Sequence, residues 1–310
     1  MPALVLDLME LADIGGQPRK LAGELHRQIR AQNGDLMLPM PLRDIAHALG
    51  IEEIQEQPTT TFEGMLVAPP DKSRGVIVLR QGMQKGRRNF TLGHEIGHFT
   101  NPYHKPPPDG FMCSAPDMRA RRADGKAWDR RTPYERMEIE ANEFSVALMV
   151  PAPEYRKARD KLSGCDLLHI EPLANLFGTS KQVMARIYVD TAPEQIAILI
   201  SRHGRLENFV LPLKFPYLGL AKGHPLPPRS SSPSFLETAS PGQASGLAPV
   251  HPDAWLDRST AGVSLCEQTL AQRDGWAMTL LALDEPDDDE QDEEEEVERR
   301  WSEPRFAYNR

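Results

Sequence analysis

The stretch that most constrains this chain is Arg87 to Thr100, RRNFTLGHEIGHFT, because it sets three polar side chains into a helix that otherwise faces a core. Phe90, Leu92, Ile96 and Phe99 recur at spacings of two to four, the pattern of an amphipathic helix with one buried side. His94 and His98 are four apart, so they share a helical face and can aim imidazole nitrogens at one metal ion. Glu95, the next residue, stands where a carboxylate takes a proton from water without binding the ion itself. Thr91 is placed to cap the helix, and Gly93 and Gly97 keep the faces beside the histidines free of side chains.

Catalytic zinc takes three protein ligands and keeps one position open, so a third ligand is needed. Pro133 opens a second helical run, YERMEIEANEFSVALMVP, which Pro151 closes. In it Glu138 and Asn142 are four apart on one face. Glu138 can complete the metal shell, while Asn142, one turn on, can hydrogen-bond a ligand imidazole. Glu140 points roughly 200° around the helix from Glu138 and does not reach the same ion. His104 competes for the third place, because HEIGHFTNPYH puts it where metzincin peptidases, HExxHxxGxxH, carry a third histidine. Pro102 pushes Asn101 away from the left-handed turn that this arrangement needs. Glu138 is therefore the expected ligand. His104 and Tyr103, on the proline-rich loop that also holds Cys113, are expected in the cleft, where they contact substrate or steady an oxyanion.

The two motifs, RNFTLGHEIGH and EIEANEFSVALMVP, resemble those of the ImmA/IrrE family of bacterial zinc metallopeptidases, FTLAHExGH followed by ExxxNxxAxxxLMP. The resemblance runs from about Met40 to Pro153. It implies an α+β fold with a small thermolysin-like metallopeptidase domain, in which His94, His98 and Glu138 hold Zn2+ (or Mn2+ in vitro). Glu95 would be the base, and Asn142 would take the place of an Asp. The implied activity is endopeptidase cleavage of a protein partner, a DNA-binding repressor or antitoxin-like regulator, in response to stress. Gly93 and Ser145 stand where the family usually has Ala, and MVP replaces LMP; none of these is a metal ligand. The rival reading is a zinc-containing DNA-binding or scaffolding regulator without peptidase activity. Against it stands Glu95, for which a purely structural site has no use, and the fourth protein ligand that a closed site requires.

The rest of the chain divides by pattern. Residues 1–39 read as a helical segment with Leu21, Leu25 and Ile29 in one stripe over 18–33, and 40–155 as the metallopeptidase domain. Within the latter, a helix over 41–49 precedes strands at 64–67 and 75–79, and Glu63 to Leu66 could be an edge that pairs with an extended substrate. Residues 156–192 read as helix, turn at Gly178 and helix, a helix-turn-helix-like segment in which Lys181 and Arg186 are the candidate DNA contacts. Without a basic cluster, a packing role is the simpler expectation. IAILIS, ENFVLPL and WAMTLLAL read as strands of a mixed α/β C-terminal domain over 193–283, with a mobile Pro/Ser/Gly-rich surface loop at 223–249.

Asp284 to Glu298 carries 12 acidic residues and no basic one, which accounts for the net charge of −9 and makes 284–310 an acidic tail. The three cysteines are odd in number and far apart, which predicts reduced thiols. No apolar run is long enough to span a membrane, and the first residues lack a basic region before their apolar run, so the expected location is cytoplasmic.

Overall fold

The computed structural model describes residues 4–107, 110–120, 127–212, 214–257 and 263–284. They pack as two units, one built from residues up to 161 with 174–180, the other from 162–173 with the residues after 180. Among the described residues no helix is long and apolar enough to cross a membrane.

In the first unit Asp7 accepts from the backbone N–H groups of Met9 and Glu10, capping α1 (Leu8–Ile14). The stripe Leu21, Leu25 and Ile29 of α2 (Pro18–Asn33) is buried as expected. α3 (Leu42–Ala48) leads to β1 (Ile51–Gln57), β2 (Gly64–Val67) and β3 (Gly75–Arg80). Then come α4 (Lys85–Thr100), β4 (Phe111–Cys113), α5 (Pro133–Met149) and α6 (Ala152–Arg159). The sheet runs β1-β3-β2-β4, with β1 parallel to β3 and β2 antiparallel to both of its neighbours. α4 lies against β2 and β3, α5 against α4, and α2 against α5. A capping box between Thr132 and Glu135, followed by Pro133 in the first turn, fixes where α5 starts.

Two local expectations fail here, and one strand lies where none was expected. α4 begins at Lys85 behind Gln84, not at Thr91, which is fully buried in mid-helix. β2 is flanked on both sides, so Glu63 to Leu66 is not the sheet edge; β4 takes that place. β1, with sequence IEEIQEQ, was not foreseen, since a polar strand with one neighbour carries no apolar alternation to read.

The two helices expected around Gly178 are present as α7 (Ile170–Phe177) and α8 (Lys181–Thr191). In the second unit β5 (Ile196–Arg202), β6 (Arg205–Val210), α9 (Ser232–Thr238), β7 (Ala248–Val250), β8 (Ser264–Ala271) and β9 (Trp276–Asp284) follow. The strands form an antiparallel sheet, β6-β5-β9-β8-β7, with an apolar core around Trp255. The mobile surface loop expected at 223–249 instead carries α9 and the start of β7. Ser232, fully buried, donates to the Glu267 carboxylate, which also accepts from the Trp255 indole at 2.8 Å. A buried carboxylate without such donors would cost several kcal/mol, so this segment is tied down by what it satisfies. The acidic run after Asp284 lies outside the described residues.

Candidate metal centre

The centre is built where α4 and α5 approach closely. A Cβ on Gly93 would stand 2.6 Å from Ser145 Oγ, and one on Gly97 would stand 3.0 Å from the Phe144 ring and 3.2 Å from Ala141 Cα. Ser145 Oγ is itself fixed by donating to the Phe90 carbonyl at 2.8 Å. Gly93 and Ser145, the two positions that depart from the usual Ala of the ImmA/IrrE motif, thus face each other. The methyl missing from α4 makes room for the hydroxyl added on α5.

This packing brings three donors to one point. His94 Nε2 lies 2.9 Å from His98 Nε2, and the Glu138 carboxylate is 3.2 Å from the first and 3.4 Å from the second. Zinc bonds of ~2.0–2.2 Å at tetrahedral angles require donor separations of about 3.3 Å, which the two carboxylate contacts match and the two imidazole nitrogens approach, a few tenths of an ångström too close. All are buried, as is Glu95 between them on α4. Neither Glu95 oxygen meets a donor in good hydrogen-bond geometry, although buried polar groups rarely go without one; the Cys113 thiol alone lies near enough to bear on the carboxylate as a weak donor. Its carboxylate fits only because residue 64, on β2, is glycine: a Cβ there would stand 2.3 Å from Glu95 Oε1.

The far nitrogens of both imidazoles are engaged. His94 Nδ1 donates to Asn142 Oδ1 at 2.8 Å, and Asn142 Nδ2 is fixed in turn by the carbonyls of Asp117 and Ala120. His98 Nδ1 meets His104 Nδ1 at 3.1 Å, and His104 Nε2 meets Glu140 Oε2 at 3.0 Å. With His98 donating to His104 and His104 to Glu140, His98 Nε2 keeps its lone pair for an ion. Lys72 Nζ donates to the carbonyls of His98 and Asn101, closing the end of α4. The structure thus places His104 behind His98, 1% exposed, while Tyr103 is 71% exposed with its ring over Gly15 and Gly16.

Sequence reasoning missed four neighbours: Gly64, Glu140 in its contact with His104, Tyr134 and Cys113. Tyr134 precedes Glu138 by one helical turn, the one signal that could have found it; burial and then the Glu138 and Asp117 carboxylates hold its proton. Cys113 Sγ lies 3.6 Å from His98 Nε2 and 3.9 Å from Glu138 Oε1, and it completes a buried His94, His98, Cys113, Glu138 group.

The charges are those of a cluster that wants a cation. Burial alone would raise Glu138, but hydrogen bonds from both imidazoles hold it well below the usual carboxylate range. Burial would lower His94, yet the bonded Glu138 carboxylate outweighs it and raises this residue, whereas burial prevails at His98 and takes it down to about 3. Burial also pushes Glu95 up to about 8, with the Glu138 charge adding to the rise. The Cys113 thiol is pushed up by burial and by the Glu95 and Glu138 carboxylates.

The remaining sequence candidates are on α8. Lys181 Nζ pairs with Glu171 at 3.0 Å, and Arg186 follows one turn and a half later on the same helix. Gly178, at φ +66°, lies against Pro39 and Asn89, and Asn89 Nδ2 donates to its carbonyl at 2.9 Å.

A buried donor set of this kind on a helix pair backed by a mixed sheet could hold a metal ion. Residues 53–187 match the family model of the IrrE N-terminal-like domain, Peptidase M78. No curated protein matches the chain. Among solved structures, one described as a Mycobacterium tuberculosis transcriptional regulator is similar at a TM-score of 0.49 and 14% identity, covering 89% of this chain and 82% of that one.

Proposed function

We propose that this chain is a zinc-dependent endopeptidase in which His94, His98 and Glu138 hold the ion and Glu95 is the general base. The observation that carries the reading is Glu95: a fully buried carboxylate with no well-aligned hydrogen-bond donor, set beside three converging donors. A site that only held a metal for stability would gain nothing from burying that carboxyl group. A zinc ion held there would supply Lewis acidity for a peptide carbonyl and a nucleophilic water at neutral pH. Glu95 takes the proton of the attacking water and delivers it to the leaving amine. Asn142 on one side, and His104 with Glu140 on the other, hold the two imidazoles in the tautomer and orientation that bind an ion. The Tyr134 phenol, kept protonated, is a donor within the same neighbourhood.

The substrate class proposed is a protein regulator, a DNA-binding repressor or antitoxin-like partner, cut in the cytoplasm; the support is the resemblance in the two motifs together with the matched family. For 170–191 a packing role is proposed over DNA contact, because Lys181 is paired with Glu171 and the Gly178 turn is seated on Pro39 and Asn89. The test is the metal content of purified variants together with cleavage of repressors encoded near the gene. Glu138→Ala should lose zinc at neutral pH and lose cleavage with it. A Glu138→Ala protein that keeps its zinc as wild type does would remove the proposed donor set.

A further inference from the structure

β4 is three residues long and lies in a stretch whose prolines gave no strand signal. Phe111 and Cys113 point inward, 1% and 0% exposed, and Met112 points out at 49%. It pairs antiparallel with β2 in the register Gly64↔Cys113 and Leu66↔Phe111, and the Glu63 N–H donates to the Cys113 carbonyl at 2.9 Å. Gly110, at φ +80°, lets the chain turn in against Leu66, whose carbonyl a Cβ would meet at 2.5 Å. The Phe111 ring stacks on the His98 imidazole, with centroids 4.4 Å apart and planes at 19°.

The alternation of the strand therefore delivers one side chain to the donor set. With Zn–S at ~2.3 Å and Zn–N or Zn–O at ~2.0–2.2 Å, a tetrahedral site requires sulfur to lie about 3.6 Å from each other donor. Cys113 Sγ lies 3.6 Å from His98 Nε2 and 3.9 Å from Glu138 Oε1. The buried Glu138 Oε2 lacks a well-aligned hydrogen-bond partner, and Glu95, packed against Gly64 opposite Cys113 in the register, has no donor in good geometry beyond the weak influence of the Cys113 thiol, a second sign that this space is built for a ligand.

We propose that Cys113 is the fourth protein ligand of the metal, and that β4 thereby closes the centre in the resting chain. This rests on the metallopeptidase reading, and because it supplies the fourth protein ligand that a purely structural site requires, Glu95 and the reversible opening of β4 are what separate the two readings. β4 occupies the free side of β2, the strand beside Glu95, where an extended peptide would otherwise add by main-chain hydrogen bonds. Opening breaks one metal–sulfur bond, the thiolate takes a proton from solvent, and the vacated position passes to water or substrate. The competing account makes Cys113 a small buried apolar residue with no bond to the ion.

X-ray absorption on the zinc-loaded full-length protein separates the two. One sulfur at ~2.3 Å beside nitrogen and oxygen donors is expected. One zinc per chain with nitrogen and oxygen donors alone would overturn the proposal while leaving the peptidase reading intact. A chain that binds no metal would overturn both. In the cobalt-substituted protein, the thiolate-to-metal charge-transfer band should vanish in Cys113→Ser and persist in a Cys165→Ser/Cys266→Ser double variant, which assigns the sulfur even if Cys113→Ser folds poorly. A band that follows Cys165 or Cys266 would refute the assignment. Closure itself is read with a hydroxamate: it should alter the cobalt spectrum of Cys113→Ala at concentrations about tenfold or more below those wild type needs, since a closed site reduces apparent affinity by its open fraction. Equal sensitivity would refute the closure.

Discussion

Replacing Gly64 by Ala tests whether the position of Glu95, and not merely its presence, makes this centre work. The added Cβ would stand 2.3 Å from Glu95 Oε1 and 2.6 Å from Thr91 Cγ2, where nonbonded contact needs well over 3 Å. Thr91 is fully buried on α4 under β2, so the carboxylate is the group with freedom to yield, by about 1 Å. A misplacement of that size at a reacting group costs ~10²-fold in rate, and overpacking of this kind costs about 1–3 kcal/mol of stability. None of His94, His98 and Glu138 is touched, so bound zinc should stay at the wild-type level. The assay pairs elemental analysis with single-turnover cleavage of one identified peptide, with a urea titration to follow stability. Wild-type cleavage by Gly64→Ala with wild-type zinc would refute the argument that β2 positions the base.

Further expectations come from the same geometry. Gly93→Ala should destabilise the chain by about 1–3 kcal/mol, and Ser145→Ala should recover much of that loss; additive effects in a double-mutant cycle would show that the two do not compensate. His104→Ala and Glu140→Ala should each weaken zinc affinity by ~10–100-fold in competition with a chelator, through the orientation of His98, whereas full affinity would make that chain of contacts incidental. In the metal-free protein Glu95 is raised from 4.5 to about 8, so the folded state holds a proton that the unfolded state releases. Stability should then fall as pH rises from about 4.5 to about 8, a loss of roughly 3 kcal/mol between pH 5 and 8 that Glu95→Gln lacks. Parallel pH profiles for the two proteins would contradict this.

What was legible in the sequence is what a helix converts directly from spacing into space. His94 and His98 at i, i+4, and Glu138 and Asn142 at the same interval, share faces whatever surrounds them. Cys113 was not legible as a donor, because its approach depends on three residues pairing with β2 nearly fifty positions earlier. His104 was placed in the cleft from its distance along the chain, whereas the turn after α4 brings it behind His98, where Glu140 meets it from the side of α5 opposite Glu138. Gly93 and Ser145 each looked like a harmless departure; only the contact between α4 and α5 shows them to be a matched pair. Ser232, in a stretch composed like a linker, is buried because Glu267 on β8 requires a donor.

The most direct test of the central claim is peptide-library cleavage, read by mass spectrometry, for the zinc-loaded protein and its Glu95→Gln variant, each with Cys113 and with Cys113→Ala. General acid–base catalysis is worth ~10²–10⁴-fold. Discrete cleavages that drop by that factor in Glu95→Gln, at equal bound zinc, are the result predicted. Equal cleavage with and without Glu95, or no cleavage by the Cys113→Ala protein with its zinc in place, would contradict the account.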